Sequence, residues 1–186
     1  IWNYNKGQVI RVVCYTNAAQ AYLELNGVKV EKTQHDKSKY GVFYWDIPFN
    51  AGHLVAVGLD TNGKEISRNE IRTSKRPHSI QVKGGNDISF ASPDAVEQIE
   101  IQILDEDGVP VVLADDEIFF ESTKGIKLLG MEGGNNSDMT SYVDARHRVF
   151  NGKMIIYVQG KDLPNNEGKI RLSSTWLQPV ELAVKQ

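Results

Sequence analysis

The chain has 186 residues with a formal net charge of −3 at pH 7; 40% of the residues are hydrophobic, 24% are charged, and one is cysteine. This length fits two small domains better than one, and the composition is that of an ordered globular protein. The weak negative charge argues against nucleic acid as a partner, the single cysteine excludes an internal disulfide, and no apolar run is long enough to span a membrane.

Alternating apolar residues predict the first strand, over residues 9–15. Ile10, Val12 and Cys14 share one face of this segment, and Arg11 lies on the other. We therefore expect the thiol of Cys14 to be a small buried core group rather than a reactive one.

The next segment predicts a β-hairpin around Asn26-Gly27, a dipeptide preferred in two-residue type I′ turns. This turn places Leu25 opposite Val28. The following pair is Leu23 and Val30, so the turn and the apolar alternation predict the same register. We expect this apolar face to be buried against a second sheet.

Further short strands follow, separated by turn residues. Residues 32–39 are polar and are predicted to form an exposed loop. Trp45 alternates with Phe43 and Ile47, which predicts that it is buried. Additional strands are predicted at residues 54–59, 65–72, 80–82, 99–103, 118–121, 126–129, 149–150, 154–159, 170–174 and 180–184.

This arrangement predicts an all-β protein of two tandem immunoglobulin-like (Ig-like) β-sandwich domains. Residues 73–78 are polar, contain Pro77 and lack periodicity, which is typical of a domain boundary. The predicted domains are residues 1–74 and 75–186. The second has its least regular part at residues 130–146.

Two acidic turns are the densest grouping of potential metal ligands. They lie at Asp105-Glu106-Asp107-Gly108 and Asp115-Asp116-Glu117, and Ca²⁺ takes oxygen ligands from neighbouring loops of this kind. Asp and Gly also favour ordinary hairpin turns, and we prefer that interpretation. No metal site is predicted here.

No catalytic residue or cofactor site is predicted either. The four histidines are distant in sequence from one another and from Cys14, so no zinc pattern results. Neither a nucleophile elbow nor a phosphate-binding loop is present. The histidines are His35, His53, His78 and His147.

Aromatic residues outside the predicted core are the remaining candidates for a binding role. Such side chains stack on sugar rings or contact a neighbouring domain. The loop at residues 135–144 is long and polar, which is typical of functional or disordered segments. The candidates for contact with sugar or another domain are Trp2, Tyr4, Tyr40, Tyr142 and Trp176.

Three motifs in the first half occur in an order that resembles a known family. Cys14-Tyr15-Thr16-Asn17-Ala18, Leu23-Glu24-Leu25-Asn26-Gly27 and Phe43-Tyr44-Trp45-Asp46-Ile47-Pro48 resemble the Ig-like domain that follows the barrel in many family 2 glycoside hydrolases, the β-galactosidase-like enzymes. The second half is similar to their C-terminal Ig-like domain through Asp105-Glu106-Asp107-Gly108-Val109-Pro110 and Phe150-Asn151-Gly152-Lys153.

The resemblance implies a non-catalytic C-terminal region of a longer retaining glycoside hydrolase. Its two catalytic carboxylates would lie on an upstream barrel, the main expected partner, in the same polypeptide. The chain begins at Ile1 without an initiator Met, so we expect a fragment or a processed form. Contact with carbohydrate, a homo-oligomeric parent and a periplasmic or extracellular bacterial location are expected by resemblance only.

A second interpretation stays open at this point. Ig-like sandwiches support unrelated functions, so the chain could be a cell-surface carbohydrate-binding or adhesive module pair. A coding sequence for a barrel upstream of Ile1 would favour the first interpretation. A secretion signal directly before Ile1 would favour the second.

Overall fold

The computed structural model of the chain describes residues 1–31, 41–161 and 163–186. Over these residues the elements are fifteen β-strands and one 3-10 turn, and the chain divides into two compact units, Ile1–Ser74 and Lys75–Gln186. The all-β prediction of tandem Ig-like sandwiches is confirmed. The predicted loop at residues 32–39 lies outside the described residues. Within them, no helix has the length and apolar character needed to cross a membrane.

The first unit consists of two antiparallel sheets. A two-stranded sheet pairs β1 (Val9–Tyr15) with β4 (Val42–Pro48) over their whole lengths. The other sheet has the order β3-β2-β5-β6. Its strands are β2 (Gln20–Leu25), β3 (Val28–Lys29), β5 (His53–Leu59) and β6 (Glu65–Arg72).

The core of the first unit is built around the inward face of β4. Trp45 is 2% exposed and stacks on Phe43, with the ring centroids 6.3 Å apart. Ile47 from β4 and Leu23 from β2 belong to the same buried cluster. The predicted burial of Trp45 is confirmed. Cys14 packs against this cluster, and partial burial raises the pKa of its thiol, as suits a structural cysteine.

The hairpin forms in the predicted register. Asn26 and Gly27 both have positive φ, 53° and 78°, as a type I′ turn requires. Leu25 pairs with Val28, and the Val30 N–H donates to the Leu23 carbonyl at 2.9 Å. The expected burial of Val28 is wrong, because it is 69% exposed. It lies beside the turn on a two-residue edge strand, where the opposite sheet does not cover it.

The second sheet of the first unit buries apolar residues on its outer face as well. Val55 and Val57 of β5 are 3% and 0% exposed. Arg68 of β6 lies directly opposite Val57 and donates hydrogen bonds to Glu24 of β2 (3.2 Å) and Glu65 (2.9 Å). Long polar residues of this kind can shield apolar neighbours with their aliphatic stems while their charged ends remain in water.

The second unit is also a two-sheet sandwich. One sheet has the order β11-β13-β9-β7 and the other β12-β10-β14-β15-β8, with all pairs antiparallel except β15 and β8. The strands are β7 (Ser79–Val82), β8 (Asp87–Ser89), β9 (Val96–Leu104), β10 (Glu117–Ser122), β11 (Ile126–Glu132), β12 (Arg146–Arg148), β13 (Lys153–Gly160), β14 (Glu167–Ser173) and β15 (Val180–Lys185).

Two strand predictions in the second unit needed correction. The three-residue strand β8 has too few residues to show a pattern and was not predicted. The strand predicted at residues 149–150 instead ends at Arg148. Val149 is buried, and Phe150 makes only an isolated bridge to Lys153 across a tight turn.

Asp105, directly after β9, fixes the first residue of the second unit. Asp105 is 2% exposed, and its carboxylate accepts hydrogen bonds from the backbone N–H groups of Asp107 (3.0 Å), Val109 (2.8 Å) and Lys75 (2.8 Å). Burial acts to raise the pKa of Asp105, but these three donors outweigh it and hold the pKa below its ordinary value.

We expect Trp45→Ala to destabilise the first unit by about 3–5 kcal/mol, the range for truncating a large buried aromatic. Against a typical domain stability of about 5–15 kcal/mol this is a large loss. Urea unfolding followed by tryptophan fluorescence measures the change, because Trp2, which is 1% exposed in the same unit, is retained in the variant. Tyr15→Ala is the matched control, since Tyr15 is 80% exposed. A loss below about 1 kcal/mol for Trp45→Ala would contradict its core role.

We expect Asp105→Asn to destabilise the second unit by about 1–3 kcal/mol at pH 7, because an amide offers one acceptor oxygen to three N–H donors. The ionised carboxylate makes its full contribution to the stability of the second unit above the ordinary Asp pKa of about 3.9. This contribution is lost as the pH falls through the lower pKa that Asp105 has in the folded state. The difference between the two proteins should therefore shrink below about pH 4.

Urea unfolding followed by the backbone amide NMR signals of the second unit measures this difference at each pH. Asp107→Asn is the control, because Asp107 lies in the same turn and its side chain is 57% exposed. An Asp105→Asn difference that does not vary with pH would mean that the charge of this carboxylate plays no part.

Candidate functional site

The two N-terminal aromatic candidates have different environments. Trp2 is 1% exposed, and its indole Nε1 donates to the Asn50 carbonyl at 3.1 Å, so it is a core residue of the first unit and not a surface for sugar. Tyr4 remains 37% exposed. Its ring makes edge-to-face contacts with Trp2 and Phe49, with centroids 6.2 and 5.9 Å apart. The structure therefore joins two of the candidates in one aromatic cluster.

Hydrogen bonds hold the segment around Tyr4 to the rest of the first unit. The Asn3 side chain donates to the Ser74 carbonyl (2.7 Å) and accepts from the Ser74 N–H (3.2 Å). The Gly7 N–H donates to the Phe49 carbonyl (3.0 Å), and the Phe49 N–H donates to the Gln8 carbonyl (2.7 Å). Residues 2–8 thus form a fixed strap.

A groove of about 630 Å³ runs along this strap, and we call it the N-terminal groove. Its volume is within the usual range of small-molecule sites, roughly 300–1,000 Å³. All of its lining residues belong to the first unit. They are Asn3, Tyr4, Asn5, Gln8, Phe49, Ala51 and Thr73.

Tyr142 lies in the long loop between β11 and β12, over a buried histidine. Its ring is 54% exposed and stacks on His147, with centroids 6.2 Å apart and the planes 9° from parallel. His147 Nε2 lies 3.2 Å from Thr140 Oγ1 and 3.7 Å from Asp138 Oδ2. Hydrogen bonds from Thr140 hold the pKa of Asp138 below its usual value. His147, which looked isolated in sequence, therefore anchors this loop.

The last two aromatic candidates are Trp176 and Tyr40. Trp176 is 84% exposed between β14 and β15, while the next residue, Leu177, is buried. The Gln178 N–H donates to the His78 carbonyl at 2.8 Å, which fixes the end of this loop. Tyr40 lies outside the described residues.

The acidic turns engage groups of the protein itself. Asp105 accepts three backbone N–H groups, as described above, and Lys75 Nζ lies 2.6 Å from Glu106 and 2.9 Å from Asp107. Burial raises the pKa of Asp116 in the second turn. Among the residues that the structure describes, no three His, Cys, Asp or Glu side chains are grouped to hold a metal ion.

The sequence predicts Tyr4 as a candidate but contains no pattern that predicts the groove around it. The lining residues come from three separate stretches, near residues 3–8, 49–51 and 73. The only local signal is the succession of amide and aromatic residues in Trp2-Asn3-Tyr4-Asn5.

Two protein-family models match the chain. A domain of unknown function (DUF4982) matches residues 7–67, and the Glycoside hydrolase family 2 C-terminal domain 5 matches residues 80–183. These two matches lie in the first and the second unit respectively.

Curated relatives extend over both units. The chain is 27% identical over 175 residues to a β-galactosidase of Bacteroides ovatus, which covers 94% of the chain and 20% of the relative. It is 28% identical over 169 residues to a putative β-glucuronidase of Formosa agariphila, covering 86% of the chain and 16% of the relative. The chain thus spans a fifth or less of the length of these relatives.

Solved structures share this fold. A β-glycosidase from Bacteroides vulgatus superposes with a TM-score of 0.85 at 27% identity, covering 100% of this chain and 24% of that protein. A glycosyl hydrolase family 2 member from Bacteroides cellulosilyticus superposes with a TM-score of 0.87 at 20% identity, covering 99% of this chain and 25% of that protein. The model of the Glycoside hydrolase family 2 C-terminal domain 5 matches more than half of the 186 residues, and the chain therefore belongs to this family.

Proposed function

We propose that this chain is the non-catalytic accessory region of a longer family 2 glycoside hydrolase that acts on a β-linked sugar. The observation that carries the proposal is the family match over residues 80–183, together with relatives named β-galactosidase and β-glucuronidase that are several times longer than the chain.

The lowered pKa values of three strand carboxylates support a non-catalytic role. A retaining glycosidase needs two carboxyl groups about 5–5.5 Å apart, one of them with a raised pKa so that it can act as an acid. Here the pKa of Glu65 is lowered by Arg68, that of Glu70 by His53, and that of Glu100 by Lys83. These carboxylates are ionised, solvated surface groups.

The partners follow from this role. We expect a catalytic (β/α)₈ barrel in the same polypeptide, which the two sandwiches would support or whose rim they would extend. Homo-oligomerisation of the parent and contact with carbohydrate belong to the same proposal. The exposed Trp176 is a suitable residue for a protein contact, because tryptophan is enriched at interface hot spots.

A periplasmic or extracellular location is also proposed, on family resemblance alone. Immunodetection of the parent protein in the periplasmic, culture-medium and cytoplasmic fractions of its host would test it. Enrichment in the cytoplasmic fraction would contradict it.

The purified chain of 186 residues should hydrolyse no aryl β-galactoside, β-glucuronide or β-mannoside, because the required carboxylate pair is expected on the barrel. A polypeptide that includes the upstream coding sequence should hydrolyse at least one of them. Colorimetric release of the aryl group measures both. Turnover by the isolated chain that is lost on replacing one of its own acidic residues would contradict the proposal, and Asp116→Asn is the first such variant because burial raises the pKa of Asp116. An upstream coding sequence without a barrel would favour the module-pair interpretation instead.

A further inference from the structure

We propose that the N-terminal groove binds a neutral oligosaccharide, with one pyranose ring stacked on the face of Tyr4. The inference rests on the proposed function, which places the chain beside carbohydrate, and it goes further by naming the site and its residues. It depends on three observations: the chemistry of the lining, the exposed aromatic ring, and the rigidity of the strap.

The lining of the N-terminal groove is polar but uncharged. It offers the amide groups of Asn5 and Gln8 and the hydroxyl of Thr73 beside two aromatic rings. Amides and hydroxyls can both donate and accept hydrogen bonds, which matches the hydroxyl groups of a sugar. None of these lining residues carries a charge, so the lining itself does not select an ionic ligand.

Three other grooves of the described residues have charged residues in their lining. One is lined by Lys83, Asp87 and Glu97, and a second by Lys75, Arg76 and Glu106. A third includes Lys29 and Glu31. A neutral, aromatic lining thus distinguishes the N-terminal groove from these three grooves of the described residues.

Tyr4 provides an apolar surface for the hydrophobic face of a pyranose ring. It is 37% exposed, whereas its two aromatic neighbours, Trp2 and Phe49, are 1% and 6% exposed. Their edge-to-face contacts fix the orientation of the Tyr4 ring before any ligand arrives. Little side-chain entropy then remains to be lost on binding.

The strap that carries the polar groups is also ordered in advance. The Gln8 N–H donates to the Asn5 carbonyl at 3.0 Å, and Gln8 Oε1 lies 3.4 Å from the Asn5 N–H. On the other side, Thr73 Oγ1 accepts from the Gly52 N–H at 3.0 Å and keeps its own hydroxyl proton for another acceptor. Both walls of the groove are therefore built on fixed backbone.

The test is an NMR titration of the ¹⁵N-labelled chain with cellotetraose, xylotetraose, mannotetraose and galactotetraose. We expect at least one to produce saturable shifts of the Asn5 and Gln8 amide signals and the Trp2 indole signal, with a Kd of about 1 mM or tighter. A tetramer of galacturonic acid should bind more weakly, because none of the lining residues is a cation.

Variants of the groove make the test specific. Tyr4→Ala should weaken binding at least about tenfold, and Tyr4→Phe, which keeps the ring, should change it by less than about threefold. Gln8→Ala should also weaken binding, and it leaves the aromatic cluster intact. Tyr15→Ala is the matched control, since Tyr15 is an exposed tyrosine of the same unit that does not line the groove. The indole signal of Trp2 in each variant reports whether the strap is still folded.

Three outcomes would overturn the proposal: no saturable shift with any neutral tetramer at about 10 mM, tighter binding of the acidic tetramer, or binding unchanged in folded Tyr4→Ala and Gln8→Ala. Each of these would assign the groove to something other than a neutral sugar, such as a protein neighbour. None of them bears on the hydrolysis assay, so failure here is distinguishable from failure of the accessory role.

Discussion

Gly52 is the backbone constraint on which one end of the first unit depends. Its φ of +130° is a backbone conformation that residues with a side chain rarely adopt, and a Cβ at this position would overlap Asn26 Oδ1. Asn26 uses that oxygen to accept from the His53 N–H (2.8 Å), and Gly52 exchanges hydrogen bonds with Thr73. A single residue without a side chain thus allows three chain segments to meet, and Thr73 also lines the N-terminal groove.

The register of the first hairpin could be predicted because two local signals agreed. Asn26-Gly27 requires positive φ at both positions, and the alternation of Leu23 and Leu25 shows which face is apolar. The exposure of Val28 could not be predicted in the same way. Whether an edge strand is covered depends on the extent of the opposite sheet, and that is a tertiary property without a local pattern.

The candidate site could be predicted only in part, because it too depends on tertiary contacts that have no local pattern. An aromatic residue outside the strand alternation is either an anchor of a terminal segment or an exposed surface, and sequence alone does not separate the two. Trp2 is the anchor and Tyr4 the surface, although they are two residues apart. The groove beside them needs Phe49 and Thr73, which the sheets bring to the strap from distant positions. His147 illustrates the same limit, since Asp138, Thr140 and Tyr142 surround it only once the loop has folded.

The distribution of charge connects the fold to the accessory role. On the solvent side of the sheets, several acidic side chains pair with basic ones, as Asp46 of β4 does with Arg11 of β1 at 2.7 Å and Glu100 of β9 with Lys83, next to β7, at 3.0 Å. Such exposed pairs contribute little stability, but they stop the outer strands from presenting a bare apolar face. The N-terminal groove lies outside this pattern, because its polar groups are neutral and are held by the backbone. The proposed recognition of an uncharged sugar depends on this neutral lining, which the ion-paired strand surfaces do not share.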